Sequence, residues 1–231
     1  QCMRKAKLRQ EPKPPVGIKN IEIDKRVPTE IKQRVRAAIE RRRHVFEAHT
    51  RSGLPLKVNY PDFKMELKPD AKPQMCHQRR WGHTDSPENK ILSEWAQKGV
   101  DSKEFEFVES TQWSTRPHIT SKARTNAMDQ DDIDIRICGA YVQVNDQTVK
   151  YISPTTDARE KIQVATGHLA YYEIDHKSQY KGYTIAEESR NMCTIATPLG
   201  FIRPRRLQFG LMNAGTFVQA ATDKFRAEAL S

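Results

Sequence analysis

Ala170-Tyr-Tyr-Glu-Ile-Asp-His-Lys-Ser-Gln-Tyr180 and Thr197-Pro-Leu-Gly-Phe-Ile-Arg-Pro-Arg-Arg-Leu-Gln-Phe-Gly-Leu-Met-Asn-Ala-Gly-Thr-Phe217 are the two segments on which the reading of this chain turns. The first is an apolar, aromatic run that ends on a carboxylate, Asp175, where a buried strand would leave the core. In the second, Phe209-Gly-Leu-Met-Asn-Ala214 is a glycine-bearing turn that runs into a helical pattern. A strand-end carboxylate followed by such a turn can hold a metal-bound phosphate. Taken alone, Asp175 reads as a turn aspartate at a strand end; the segments around it give it the other meaning.

Together these segments resemble the palm of a reverse transcriptase of the gypsy-type LTR retrotransposon and retrovirus group. Asp175 followed by Tyr180 matches the family's aspartate and aromatic after an aromatic-rich strand. Thr197-Pro-Leu-Gly-Phe201, Phe209–Ala214 and Phe217 match its next segments, with Gly215 in place of the usual proline and Gln179 in place of a glycine. Further upstream, Arg136, Tyr141 and Asn145 match a motif in which Ala140 and Val142 replace an expected Asp and Arg. Losing both members of what would be an ion pair strands neither charge. Gly99-Val100 and Gln112-Trp113-Ser114 also fit, and the matched segments run in the family's order over residues 60–225.

Charge is concentrated at one end. Residues 1–60 carry 16 Lys and Arg against 6 Asp and Glu, and the rest of the chain carries 23 of each. A basic arm on a neutral body points to a polyanion, most often nucleic acid, or else to a solvated tail. The chain is polar, with 37% hydrophobic residues and a mean hydropathy of −0.78. No run approaches the ~20 apolar residues of a membrane helix, so no membrane partner is expected. The four cysteines, Cys2, Cys76, Cys138 and Cys193, are scattered without a Cys-x-x-Cys pair. They read as plain buried thiols of an intracellular, reducing compartment. Cys76-His77 with His83 lacks the second ligand pair that a zinc site needs.

Residues 1–27 read as a basic extended arm, and residues 28–60 as an N-terminal helix and linker. Ile31, Val35, Ala38, Ile39 and Phe46 recur at helical spacing after Thr29, a candidate cap. The other faces carry Arg34, Arg36, Arg41, Arg42 and Arg43. That helix either packs on the body as a solvated amphipathic element or contacts phosphates. Phe63, Met65 and Leu67 alternate with Lys64, Glu66 and Lys68, the pattern of a half-buried strand. Ser86-Pro87-Glu88 starts a helix through Ile91, Leu92 and Trp95 that is expected to stop at Gly99. The acidic run Asp129–Asp134 reads as a solvated loop, and Ala158–Ala165 as a helix.

The resemblance implies an α+β fold, with reverse-transcriptase-like fingers over residues 61–168 and a truncated palm over residues 169–231. It gives Asp175, with the backbone carbonyl of His176, to magnesium. It sets Tyr180 beneath the incoming sugar, gives Lys122 and Arg136 to the triphosphate, and lets Phe209 and Gly210 shape the base-pair pocket. Nucleotidyl transfer uses two metal ions about 3.5–4 Å apart, held by carboxylates from separate strands. The family supplies the rest of that set from a Tyr/Phe-x-Asp-Asp hairpin downstream. No Asp-Asp pair follows residue 175 in the 231 residues; Asp131-Asp132 lies upstream. The expectation is a segment inactive alone, serving as a nucleic-acid-contacting, RNA-binding or structural component among other proteins of a larger assembly. The alternatives are a fragment of an active retrotransposon polyprotein polymerase, and a globular α+β domain without a nucleic-acid role.

Overall fold

Ser86 is extended, at φ −61° and ψ 147°, and its hydroxyl accepts the Asn89 N–H at 3.2 Å. Capped this way, with Pro87 at the first helical position, helix α2 runs over Pro87–Asp101. The computed structural model describes residues 23–41, 43, 54–76, 86–122, 134–152, 159, 163, 166–167, 176 and 178–230. Before α2 lies α1, Thr29–Arg41. After it come β1 Phe105–Val108, β2 Pro117–Lys122, β3 Asp134–Gly139 and the short helix α3 Val142–Asp146. A 3-10 turn at Gln179–Gly182 leads to α4 Glu187–Arg190 and a second 3-10 turn at Asn191–Cys193. The chain then forms β4 Ile195–Thr197, β5 Gly200–Pro204 and the long helix α5 Ala214–Leu230.

The expected stop of α2 at Gly99 is corrected by two residues. Lys103 takes the left-handed conformation at φ 65°. The N–H groups of Glu104 and Lys103 return to the carbonyls of Gly99 and Val100 at 2.9 Å each. This is the Schellman arrangement, with lysine where glycine is usual. Gly99 serves a different purpose: a Cβ there would overlap the Phe105 ring. Its bare backbone lets β1 pack against α2.

Among the described residues the strands form two small antiparallel sheets. One has strand order β1-β5-β4, with Phe105 opposite Pro204 and Val108 opposite Phe201. The other pairs β2 with β3, Ile119 opposite Ile137. Phe63, Met65 and Leu67 alternate inward as expected, while Lys64, Glu66 and Lys68 stay exposed. The segment nevertheless forms single bridges, Phe63 to Ile185 and Leu67 to Thr148, because its two ends meet different neighbours. A ladder needs one continuous partner.

Among the described residues an apolar cluster draws on side chains from Phe63 to Ala221. Ile185, Ile195, Ile202 and Leu207 are fully buried in it; each such side chain contributes about 1.5–3 kcal/mol by leaving water. Ala214, Val218 and Ala221 face it from α5 at helical spacing. Phe217 meets Tyr60, Phe63 and Tyr183 edge-on, at 5.2, 5.3 and 5.6 Å.

Helix α1 is the exception, since it buries no residue. Ile31 is 40% exposed, and Val35 and Ile39 are half-buried. Thr29 is its first helical residue rather than its cap; the carbonyl of Pro28 accepts the Lys32 N–H at 3.0 Å. Among the described residues no helix is long and apolar enough to cross a membrane. Residues 1–22, residues 129–133 of the acidic run and most of Ala158–Ala165 lie outside the described residues.

Candidate nucleic-acid interface

The turn before α5 is fixed by two asparagines. The Asn145 amide donates to the Gly210 carbonyl, and its oxygen accepts the Met212 N–H, both at 2.7 Å. Asn213, in the left-handed region at φ 65°, donates to the Val149 carbonyl at 2.7 Å and accepts the Tyr151 N–H at 2.8 Å. Asparagine tolerates that backbone conformation better than most residues. Gly210 turns the chain at φ 87°, where a side chain would be strained. Four side-chain bonds thus hold residues 210–213 against α3 and the segment that follows it.

That turn presents Phe209 to solvent at 50% exposure. Tyr180, half-buried in the Gln179–Gly182 turn, stands beside it with ring centroids 4.6 Å apart and planes tilted by 40°. A Cβ at Gly215 would lie 3.5 Å from the Tyr180 hydroxyl, so the first turn of α5 also borders the pair. Beneath, Tyr141 is 2% exposed and covers Gly139 so closely that a Cβ there would overlap its ring. Burial raises the Tyr141 phenol well above its ordinary pKa, so it stays neutral, with its hydroxyl donating to the Cys193 carbonyl at 3.4 Å. Burial likewise pushes the Cys193 thiol up, which makes it inert packing. Cys76 and Cys138 are half-buried free thiols.

The structure therefore brings together Tyr180, Phe209 and Gly210 of the residues singled out from sequence. Arg136 is exposed on β3, opposite Thr120. It lies roughly 10 Å along the strand from Gly139, whose carbonyl is 3.9 Å from where a Gly210 Cβ would stand. Lys122 ends β2 opposite Asp134, with its side chain outside the described residues. Arg34, Arg36, Arg41 and Arg43 are exposed on or just after α1, and Arg42 lies outside the described residues. Arg43 pairs with Glu40 at 3.4 Å.

Asp175 also lies outside the described residues, and its neighbour His176 is exposed. Among the described residues no three His, Cys, Asp or Glu side chains converge in a way that could hold a metal ion.

Sequence reasoning assigned no role to Glu104, Lys181, Gln208 or Asn213. The left-handed asparagine has a local signal, in its place just before a helix; the other three have none. Glu104 is 6% exposed, and its carboxylate accepts from Lys181 at 2.7 Å and from Gln208 at 3.2 Å. Nearby, burial lowers the Arg206 guanidinium from its ordinary pKa, and the Glu104 charge opposes that shift.

This architecture is a reverse-transcriptase-like fold. It matches the structure of the foamy viral protease-reverse transcriptase in complex with RNA/DNA hybrid, with a TM-score of 0.60 and 11% identity over 85% of this chain and 25% of that one. The foamy viral protease-reverse transcriptase dRH in complex with double-stranded DNA matches with a TM-score of 0.57 and 13% identity, over 86% of this chain and 32% of that one. A prototype foamy virus protease-reverse transcriptase CSH mutant gives 0.58 and 12%, over 87% and 25%. The chain thus spans a quarter to a third of the length of these proteins. No protein-family profile matches the chain, and no curated protein matches it.

Proposed function

We propose that this chain is a nucleic-acid-contacting segment of reverse-transcriptase type, with residues 61–168 as fingers and residues 169–231 as part of a palm. The resemblance of its sequence motifs to those of gypsy-type enzymes supports that branch of the group. The observation that carries the reading is the meeting of Tyr180 and Phe209. These aromatics come from separate motifs and stand side by side, partly exposed, Phe209 at the turn held by Asn145 and Asn213 and Tyr180 in the Gln179–Gly182 turn. Partly exposed rings on hydrogen-bonded turns suit base stacking, worth ~1–3 kcal/mol per base. The matched foamy viral proteins bind an RNA/DNA hybrid and double-stranded DNA, which supports nucleic acid as the partner here.

In this reading Lys122 and Arg136 face the phosphates, and Asp175 with His176 keeps an inherited metal position for magnesium. The arginines of α1 and the basic arm follow an RNA backbone, inside a larger assembly with other proteins. The 231 residues by themselves hold one part of the carboxylate set and do not synthesise DNA. Primer extension with the purified chain, magnesium and dNTPs is the test, and incorporation above background would overturn the inactive reading. Binding to labelled single-stranded RNA, titrated against salt, tests the nucleic-acid role directly. Phosphate-dominated binding loses affinity steeply as salt rises.

A second reading has these residues as part of an active polymerase polyprotein. A genomic reading frame continuing through an Asp-Asp hairpin would establish it.

A further inference from the structure

Glu104 is a carboxylate placed where carboxylates are costly, between the end of α2 and the start of β1. Its side chain is 8% exposed. Taking such a charge out of water costs several kcal/mol unless it is paired and hydrogen-bonded. Its two oxygens are divided between two partners: Oε2 accepts from Lys181 Nζ at 2.7 Å, and Oε1 accepts from Gln208 Nε2 at 3.2 Å. Lys181 directly follows Tyr180, and Gln208 directly precedes Phe209. One buried group therefore bonds the residue next to each ring of the pair.

The backbone around Glu104 is equally committed. Its N–H donates to the Gly99 carbonyl at 2.9 Å, and its carbonyl accepts the Arg205 N–H at 2.8 Å. The two ring-bearing segments are joined by the Leu207 N–H to the Tyr183 carbonyl at 2.9 Å and the Ile185 N–H to the Arg205 carbonyl at 3.0 Å. Those bonds fix the backbones. Beside the rings, the Tyr183 N–H donates to the Tyr180 carbonyl at 3.0 Å and Asn145 holds Gly210; the Glu104 carboxylate is the one group that Lys181 and Gln208 share, Gln208 Nε2 donating also to the Arg206 carbonyl at 3.0 Å. Phe209, being half exposed, is not oriented by burial alone.

We propose that Glu104 is a positioning residue, whose carboxylate, shared by Lys181 and Gln208, sets the Tyr180–Phe209 pair for stacking on a nucleobase. The proposal rests on the stacking reading above and adds the group that orients the stack. Charge-assisted hydrogen bonds are about twice as strong as neutral ones. Removing the charge while keeping the volume should release the rings before it disturbs the core.

The test uses the full chain and a single-stranded RNA oligonucleotide carrying 2-aminopurine, whose fluorescence is quenched by stacking. Glu104→Gln is expected to weaken binding of this probe about tenfold, as removal of one charged hydrogen bond does. It is also expected to abolish the nuclear Overhauser effect between the Tyr180 and Phe209 rings, with the Ile195 and Ile202 methyl resonances unmoved. Lys181→Met, at the more exposed end of the ion pair, is expected to give the same change in smaller degree; if Glu104→Gln does not fold, this variant decides. Retention of the ring-to-ring effect, or its disappearance with probe binding intact, overturns the proposal. Phe209→Ala separates the two ideas. If it binds the probe as tightly as the parent, the stacking reading falls, and with it the nucleobase part of this proposal, while the ring-to-ring effect still reports whether Glu104 orients the pair.

Discussion

Tyr141, Gly139 and Gly210 form a stack in which each residue limits the others. Tyr141 fills the space a side chain at Gly139 would need, and its ring edge is 3.8 Å from a Cβ position at Gly210. Gly139→Ala is therefore expected to destabilise the chain by about 1–3 kcal/mol, the usual penalty for forcing an extra methyl into a packed core. A urea titration reads this as a lower midpoint with an unchanged slope. Asn145→Ala leaves the Gly210 carbonyl and the Met212 N–H without their partner. The expected cost is about 2 kcal/mol, from two hydrogen bonds at roughly 1 kcal/mol each. Because that turn carries Phe209, the same variant should also weaken RNA binding, which fluorescence anisotropy would measure. Had Gly99 been only a helix terminator, Gly99→Ala would be mild; its overlap with the Phe105 ring makes it a core substitution instead.

Among the strands, Glu106 of β1 is held by two arginines, Arg203 of β5 and Arg205 just after it. Arg203 donates to one carboxylate oxygen at 2.6 Å and Arg205 to the other at 2.7 Å. Burial by itself would raise the Glu106 carboxyl; the bonds from Arg205 and Arg203, with their charges, outweigh it and hold the pKa below the ordinary 4.5. A depressed carboxylate pKa stabilises the fold above the unfolded-state value, and that share is lost as pH falls through the folded-state value. The contribution is thus complete above about pH 4.5 and fades below it. Glu106→Gln should lower the urea midpoint at pH 7 and give a shallower further fall between pH 5 and pH 3 than the parent shows. An equal acid slope in both would remove Glu106 from the account. Helix α2 offers a plainer case: Ser86→Ala loses its cap and should cost about 1 kcal/mol.

Across the whole molecule, charge and packing occupy different regions. The positive excess lies in residues 1–60, whereas the apolar cluster begins in earnest at Phe63 and reaches Ala221. Since α1 buries no residue, replacing Arg34, Arg36, Arg41 and Arg43 together by Gln should leave the thermal midpoint near the parent's. It should lower RNA affinity and flatten its logarithmic dependence on salt by about 0.7 for each phosphate of a single strand that is no longer neutralised. A fallen melting temperature with unchanged binding would turn α1 into a structural element.

Local features of this chain were legible because local physics makes them. The Ser86-Pro87 start of α2, the alternation over Phe63–Lys68 and the glycine turn at Phe209–Ala214 each follow from cap chemistry, side-chain period or permitted backbone angles. The order of such elements was enough to point to the reverse-transcriptase-like architecture. The end of α2 escaped this logic because the left-handed residue is a lysine, and glycine was the only local cue. Pairing was not legible either: whether Phe63–Lys68 finds one partner or two depends on where residues near 148 and 185 arrive. The same holds for the meeting of Tyr180 with Phe209 and for the carboxylate of Glu104 between Lys181 and Gln208. Those groups lie far apart in sequence and carry no shared period, so only the closing of the chain around one core decided that they meet.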